Sequence, residues 1–427
     1  MSAKAGQREF DVIVIGSGTC GGTIAKELAL RNKRVLILER GANPPLKETL
    51  GAIVSIADRV ILGDRGLSTV RALTTGGSTS LYFAVVNYPQ LDTFRTLGID
   101  LAGDLAAIRN ELPIGPLPDS LLNPQGCALS DSARALGYDW HKFDMLVDAS
   151  RCTAGYAYDA KWKAKSSVQD ALANGAVLMN GATVSRILVD GERAVGVEYK
   201  LRKSPFGAEL RKAYAKKIVL AAGELATPKI LRDTGVEGIG ARGFYCNPGY
   251  AIYGLVPGLK GTDGFVGSAG CQLDAGIELS DANIVRALHR PMMVGGMKLK
   301  HLFAFPETIG IGVKVKDGLG GQMRPNGRLH KTFDQHDRAK LDRGRQAAVK
   351  ILEKAGAKDI VDFGVTAAGR VGGLVRIQEH VDSTLETQFR GLHVCDGSVL
   401  PDDMRGTPTV SLVCLAKYLS RHLLSAL

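Results

Sequence analysis

The chain has 427 residues, 45% of them hydrophobic and 6% aromatic, and a formal net charge of +11. That length accommodates two domains and a large core that needs no staples, and the seven scattered cysteines, odd in number and without a CxxC pair, argue against a disulfide framework or a zinc site. No run approaches a membrane span, residues 1–10 hold no apolar leader segment, and no basic stretch is interleaved with aromatics as nucleic-acid binding would ask, so a cytoplasmic small-molecule protein is the expectation.

The first element in the chain says most. Val12-Ile13-Val14-Ile15 is an apolar run, followed at once by Gly16-Ser17-Gly18-Thr19-Cys20-Gly21. Residues 23–31 read as a helix, and residues 35–38 form a second apolar run that ends on Glu39. Each part has a physical reason. Gly16 permits the tight turn, Gly18 lets a pyrophosphate approach the backbone, and Gly21 lets the helix pack closely on the strand. The helix N-terminus, at Thr19 and Cys20, offers free N–H groups to phosphates. Glu39 follows at the distance where an acid reaches the ribose hydroxyls, with Arg40 beside it. In a chain with 52 glycines such a motif recurs by chance. Its weight comes from the complete strand–turn–helix–strand–acid context, which predicts a bound dinucleotide without separating NAD from FAD.

Residues 43–75 read as an irregular connection with some helix, and Gly76-Gly77-Ser78-Thr79 as a sharp turn. Residues 99–149 are mixed, with Pro113, Pro116, Pro118 and Pro124 marking a loop-rich crossing. A helix closes over residues 170–175, and strands are predicted at 176–179, 183–189, 194–201 and 213–222, with Asp190-Gly191 as a hairpin turn. Between Lys200 and Lys217 lie Lys200, Arg202, Lys203, Arg211, Lys212, Lys216 and Lys217 against only Glu209. Ser204-Pro205-Phe206-Gly207 predicts a turn among them, so a solvated hairpin is favoured over an acidic partner or a membrane surface.

Residues 217–223 form an apolar strand ending in Ala221, Ala222 and Gly223, small enough to admit a ligand at the strand end. Residues 248–330 change character to short alternating apolar segments broken by Gly and Pro, the grammar of an antiparallel sheet. Residues 340–354 read as an amphipathic helix stopping at Ala355-Gly356, residues 392–395 as a strand, and residues 410–424 as a long helix. Asp396, at that strand's end, either accepts from a ligand hydroxyl or caps the following turn.

The order of these pieces resembles the glucose–methanol–choline (GMC) oxidoreductases over nearly the whole chain. The likeness runs from the glycine motif with Glu39 through Gly76-Gly77-Ser78-Thr79, Ala164-Lys165-Ser166-Ser167, residues 176–196 and residues 219–231 to Asp396-Gly397-Ser398-Val399-Leu400-Pro401 and the closing helix. It implies an α/β fold, with a Rossmann-like FAD-binding domain and an inserted antiparallel-sheet substrate domain. The first would comprise residues 1–115, 150–247 and 385–427, and the second residues 116–149 and 248–384. It implies FAD as cofactor, with Gly16, Gly18, Thr19, Cys20, Gly21, Glu39, Arg40, Gly77, Ser78, Val184, Ala222, Gly223, Asp396, Pro408 and Thr409 around it. An NAD-linked dehydrogenase is disfavoured by the Gly76 turn and the Asp396 region.

The chain departs from the family at the chemistry. The family's catalytic His opens a His-Pro-x-Gly-Thr-x-Arg-Met-like segment. The matching stretch here is Arg370-Val371-Gly372-Gly373-Leu374-Val375-Arg376-Ile377, which puts Arg370 in that slot; a looser alignment on Gly369 puts Thr366 there. In the second slot, before a Pro, Thr407 replaces Asn or His. Arginine is a poor general base but a good anion clamp. His380 is the nearest histidine in sequence, with a packing role favoured; nothing in their spacing singles out His301, His330 or His336.

The expected function is therefore FAD-dependent oxidation of a small alcohol, sugar or hydroxy acid by hydride transfer to flavin N5, with Arg370 orienting an anionic substrate and Thr407 bonding its reacting oxygen. The alternatives are non-redox or light-driven chemistry on a carboxylate, as in lyases and photodecarboxylases of this fold, and a non-catalytic flavin-binding partner subunit. A short substrate domain leaves the site open, or closed by a partner subunit or a second copy of the chain.

Overall fold

The computed structural model describes residues 10–63, 66–204 and 207–427. Five parallel strands form the first layer. Val177–Asn180, Val35–Glu39, Phe10–Ile15, the last third of Gly207–Leu220, and Leu392–Val394 lie side by side in that order. Val12, Ile13, Val14, Ile37, Ile218, Val219 and Leu220 are all fully buried, as parallel strands covered on both faces must be. Helix Thr19–Ala29 covers one face, packed between Lys165–Ala173 and Thr409–Ser425. The long strand Gly207–Leu220 does double duty. Its other end pairs antiparallel with Arg193–Ser204, which pairs with Ala182–Asp190. The Ser204–Gly207 turn lies outside the described residues at its two central positions, Pro205 and Phe206.

The second layer is a nine-stranded, mostly antiparallel sheet built around Pro248–Leu255, Thr308–Val315, Ile277–Asp281 and Ala269–Asp274. Helix Gln335–Lys354 lies across it, setting Ala348, Ile351 and Leu352 against Ile309, Ile311 and Val313. Gly344 lets the helix approach, since a Cβ there would collide with Val313. The helix starts five residues earlier than its apolar periodicity predicts. Asp334 caps it, its carboxylate accepting from Asp337 N at 2.7 Å, and Gly356 ends it at φ +80°.

Two strands fall where an irregular connection is predicted. Ala57–Ile61 and Ser68–Ala72 form a hairpin at the edge of the second sheet, tied in through Ala367 opposite Ser68. They lie in this sheet although their residue numbers fall within the range assigned from sequence to the nucleotide-binding domain. Among the described residues no helix is long and apolar enough to cross a membrane.

Leu392–Val394 carries a buried histidine with consequences for stability. His393 lies with Nε2 3.8 Å from Glu386 Oε1, and its Nδ1 has no hydrogen-bond partner. Glu386, Lys217, Asp382 and His422 all act on it, but burial dominates and pushes its pKa down to about 4. The unfolded chain binds the proton at about pH 6.5, so the neutral ring contributes stability above that value and loses it as pH falls towards 4. Buried Asp281, pushed up to about 6, acts with the opposite sign. The readout is therefore the difference between His393→Gln and the parent. Thermal melts across pH 7 to 4 should show a smaller acid loss in H393Q; parallel curves would contradict the assignment.

Candidate active site

The opening glycines divide into two kinds. Gly16 sits at φ +99°, and a Cβ there would collide with Ala221 O; one on Gly21 would collide with Gly16 O. Packing alone requires both. Gly18 is different. It precedes helix Thr19–Ala29 at φ −70° and ψ −162°, where any residue is allowed, and the nearest atom to an added Cβ is Gly77 Cα at 4.0 Å. The space in front of the helix N-terminus is therefore kept open by something the protein's own packing does not demand. No acidic side chain occupies the helix's first turn.

That space is a cavity of about 490 Å3 at the carboxyl ends of the parallel strands. Gly16, Gly18, Thr19, Cys20, Glu39, Arg40, Gly77, Ser78, Val184, Ala222, Gly223 and Asp396 all line it. Gly21 does not, because it packs helix on strand. Glu39 is buried, with Oε2 accepting from Ser17 N at 3.0 Å and Ser17 Oγ at 2.6 Å, and Oε1 accepting from Gly41 N at 2.7 Å. Ser17 Oγ in turn accepts from Gly76 N at 3.3 Å, which joins the second glycine turn to the first. Gly77 then lies so close that a Cβ on it would be 2.8 Å from Gly18 Cα.

On one wall of the cavity Arg40 and Arg71 share one carboxylate, Asp58, at 3.4 and 2.8 Å. Burial, and then the neighbouring Arg71, lower the Arg40 pKa.

Asp396 resolves to a cap. Its Oδ2 accepts from Gly223 N at 2.9 Å and Thr227 Oγ1 at 2.5 Å, and its Oδ1 from Ser398 N at 2.9 Å and Ser398 Oγ at 2.6 Å. Burial raises its pKa, and these donors oppose the rise. The carboxylate locks two turns of the cavity wall together, and its acceptor sites are filled from within the protein. An open nucleotide-sized cleft, a helix N-terminus without an acid, a ribose-height carboxylate and a glycine whose missing Cβ only a ligand explains all fit a bound dinucleotide.

A second cavity of about 380 Å3 meets the first at Thr19, Ser78, Glu224, Gly397 and Leu412. Pro408 and Thr409, expected around the cofactor, line this second cavity and not the first. Pro408 precedes the closing helix Thr409–Ser425, whose Leu412 lines both cavities.

Arg370 lines the second cavity and is buried. Its Nη2 donates to Met404 O at 2.8 Å. With the Asn247 amide oxygen facing it, Nε and Nη2 also donate to Asn247 Oδ1 at 3.2 and 3.1 Å. The guanidinium lies 5.4 Å over the Tyr245 ring, and Nη1 has no partner. Held on two sides, the guanidinium is a fixed positive charge on the cavity wall.

The other two predicted catalytic residues do not serve in that way. Thr407 lines the cavity, but its hydroxyl is committed to Val85 O at 2.6 Å and Asn87 Oδ1 at 2.9 Å, while its N–H donates to Asn87 Oδ1 at 2.6 Å. A hydroxyl has one proton, so Thr407 cannot also donate to a substrate oxygen. His380 lines neither cavity; its Nδ1 accepts from Arg376 N at 2.9 Å and closes a local turn. Thr366 is exposed and also lies outside both. No histidine lines either cavity, and no metal-binding group of His, Cys, Asp or Glu exists among the described residues.

Glu224 escapes a motif-based reading. It lies at the junction of the cavities, its carboxylate forms no ion pair among the described residues, and burial raises its pKa, with Asp396 adding to the rise and Arg71 and Arg370 opposing it. The only sequence signal is its position directly after Ala221-Ala222-Gly223. Lys316 and Arg405 also line the second cavity, whereas Lys314 is neutralised by Glu278 at 3.2 Å.

Comparison with known proteins agrees with this architecture. Residues 111–242 match the family model for GMC oxidoreductases. The chain is 25% identical to a GMC-type oxidoreductase of Mycobacterium tuberculosis, covering 95% of this chain and 74% of that protein. It is 23% identical to a long-chain-alcohol oxidase of Arabidopsis thaliana, covering 82% and 53% respectively. The crystal structure of pyridoxine 4-oxidase from Mesorbium loti superposes with a TM-score of 0.70 at 15% identity, covering 97% of this chain and 99% of that one. Residues 111–242 thus carry the GMC oxidoreductase signature, the whole chain is similar to proteins of that family, and the members of that family bind FAD.

Proposed function

We propose that the protein oxidises the hydroxyl carbon of a small organic substrate bearing an anionic group. FAD, held by the Gly18 cleft, supplies the hydride acceptor at flavin N5. The observation that carries the substrate class is the second cavity's charge: Arg370, Lys316 and Arg405 line it against one unpaired carboxylate, Glu224. Arg370 attracts the anionic group from the cavity wall and fixes the substrate's orientation. Glu224 accepts the hydroxyl proton as the C–H hydride leaves, and a C=O bond forms. A carboxylate with a raised pKa suits that task better than an exposed one.

The acid limb of kcat/KM should therefore lie above the ordinary 4.5 of a glutamate and vanish in Glu224→Gln. The test of the reaction type is product analysis with hydroxy acids and phosphorylated alcohols, in darkness and under light. A carbonyl product in equal yield under both supports the proposal. Release of carbon dioxide in light alone would establish a photodecarboxylase instead, and no product from any compound would favour a flavin-binding partner subunit.

A further inference from the structure

Away from both cavities, one surface breaks the rule that large apolar clusters are covered. Val294, Met297, Leu299 and Phe303 are 54, 84, 67 and 75% exposed within ten residues. Single exposed apolar residues need no explanation, but a cluster does. The segment is helix Arg286–Gly295 and the turn after it. It is anchored from below, not loose. Met293 and Phe305 are buried, His289 Nε2 bonds Thr308 Oγ1 at 3.2 Å, and His301 Nε2 bonds Asp359 O at 2.9 Å. The neighbouring helix Leu50–Ile56 packs against it and adds Leu50 and Val54, 48 and 66% exposed.

Basic residues prevail along the rim of this patch. Residues 282–306 contain Arg286, Arg290, Lys298 and Lys300 and no Asp or Glu. Arg290 lies 5.0 Å over the Phe303 ring and Arg286 4.5 Å over Phe305, so the charges stand beside the apolar surface. The acids nearby are Asp359, 4.0 Å from Lys300, and Asp263, which accepts from Arg286 N at 2.6 Å. Among the described residues Arg286, Arg290 and Lys298 form no ion pair.

We infer that this face docks the protein on an anionic phospholipid bilayer, with Met297, Leu299 and Phe303 in the acyl boundary and the four basic residues on the headgroups. Apolar side chains ringed by Lys and Arg on an anchored amphipathic segment are the chemistry of interfacial binding. A second copy fits less well, because a two-fold contact of this patch with itself would oppose like charges.

The test is co-sedimentation of the FAD-loaded protein with vesicles of phosphatidylcholine alone or with about one third phosphatidylglycerol. The expected result is at least about tenfold more protein on the anionic vesicles, reduced by salt. The M297S/L299S/F303S variant and the K298E/K300E variant should each lose that binding while keeping parental flavin content and melting temperature. No preference for anionic vesicles, or equal binding by the triple variant, overturns the inference. So does a concentration-dependent dimer that the triple variant abolishes, since the patch is then covered by a second copy.

Discussion

Gly18→Val should strip FAD from the protein and leave the fold standing. The backbone at Gly18 is extended and accepts a β-branched residue, and the nearest protein atom to a new Cβ lies 4.0 Å away. The side chain would instead fill the space in front of the helix N-terminus. Overfilling such space costs about 1–3 kcal/mol, roughly five- to a hundred-and-fiftyfold in cofactor affinity. Flavin absorbance per mole of purified protein reads the loss, and the melting temperature of the FAD-free protein should match that of the parent stripped of FAD. Gly16→Ala is the contrasting variant. Its Cβ would strike Ala221 O from a backbone at φ +99°, so it should fail to fold. Full flavin content in G18V would mean that the cleft does not hold the cofactor.

Arg370→Ala should abolish most turnover on anionic substrates and little of it on neutral analogues. Removing the guanidinium leaves Met404 O and Asn247 Oδ1 without their buried donor, as well as removing the clamp. Truncating one partner of a buried charge-assisted contact costs about 2–5 kcal/mol, or about thirty- to several-thousandfold in kcat/KM. Arg370→Lys keeps the charge but loses the fork, and should recover part of the loss. The discriminating readout is the ratio of the two substrate classes. A merely structural arginine would lower both equally, with a matching fall in flavin content. A selective rise in KM for the anionic class is the signature of a clamp.

Much of the first layer was legible because its signals are local. Four apolar residues, three glycines with separate steric duties and an acid sit within thirty residues, and each reports on its neighbours. The edge hairpin Ala57–Ile61 and Ser68–Ala72 was not, because its place depends on Ala367, about three hundred residues on. Helix Gln335–Lys354 gained its first turn from the Asp334 cap, which hydrophobic periodicity does not register.

The site divides along the same line. Residue type alone gave the limits of Arg370 as a base and its suitability for anions. Thr407 looked free because its partners, Val85 and Asn87, lie 322 and 320 residues away in sequence. Asp396 was balanced between ligand and cap until Gly223, Thr227 and Ser398 converged on it. Glu224 carried no motif, and only the meeting of two cavities singles it out.

The most direct test of an FAD enzyme for anionic hydroxyl compounds is anaerobic mixing of the purified protein with matched pairs, a hydroxy acid against its neutral amide or ester, while following the flavin's visible absorbance in darkness. The acid should bleach the flavin, the neutral partner should bleach it at least about tenfold more slowly, and R370A should lose that preference. Equal rates for both members of every pair, or no bleaching by any, would contradict it.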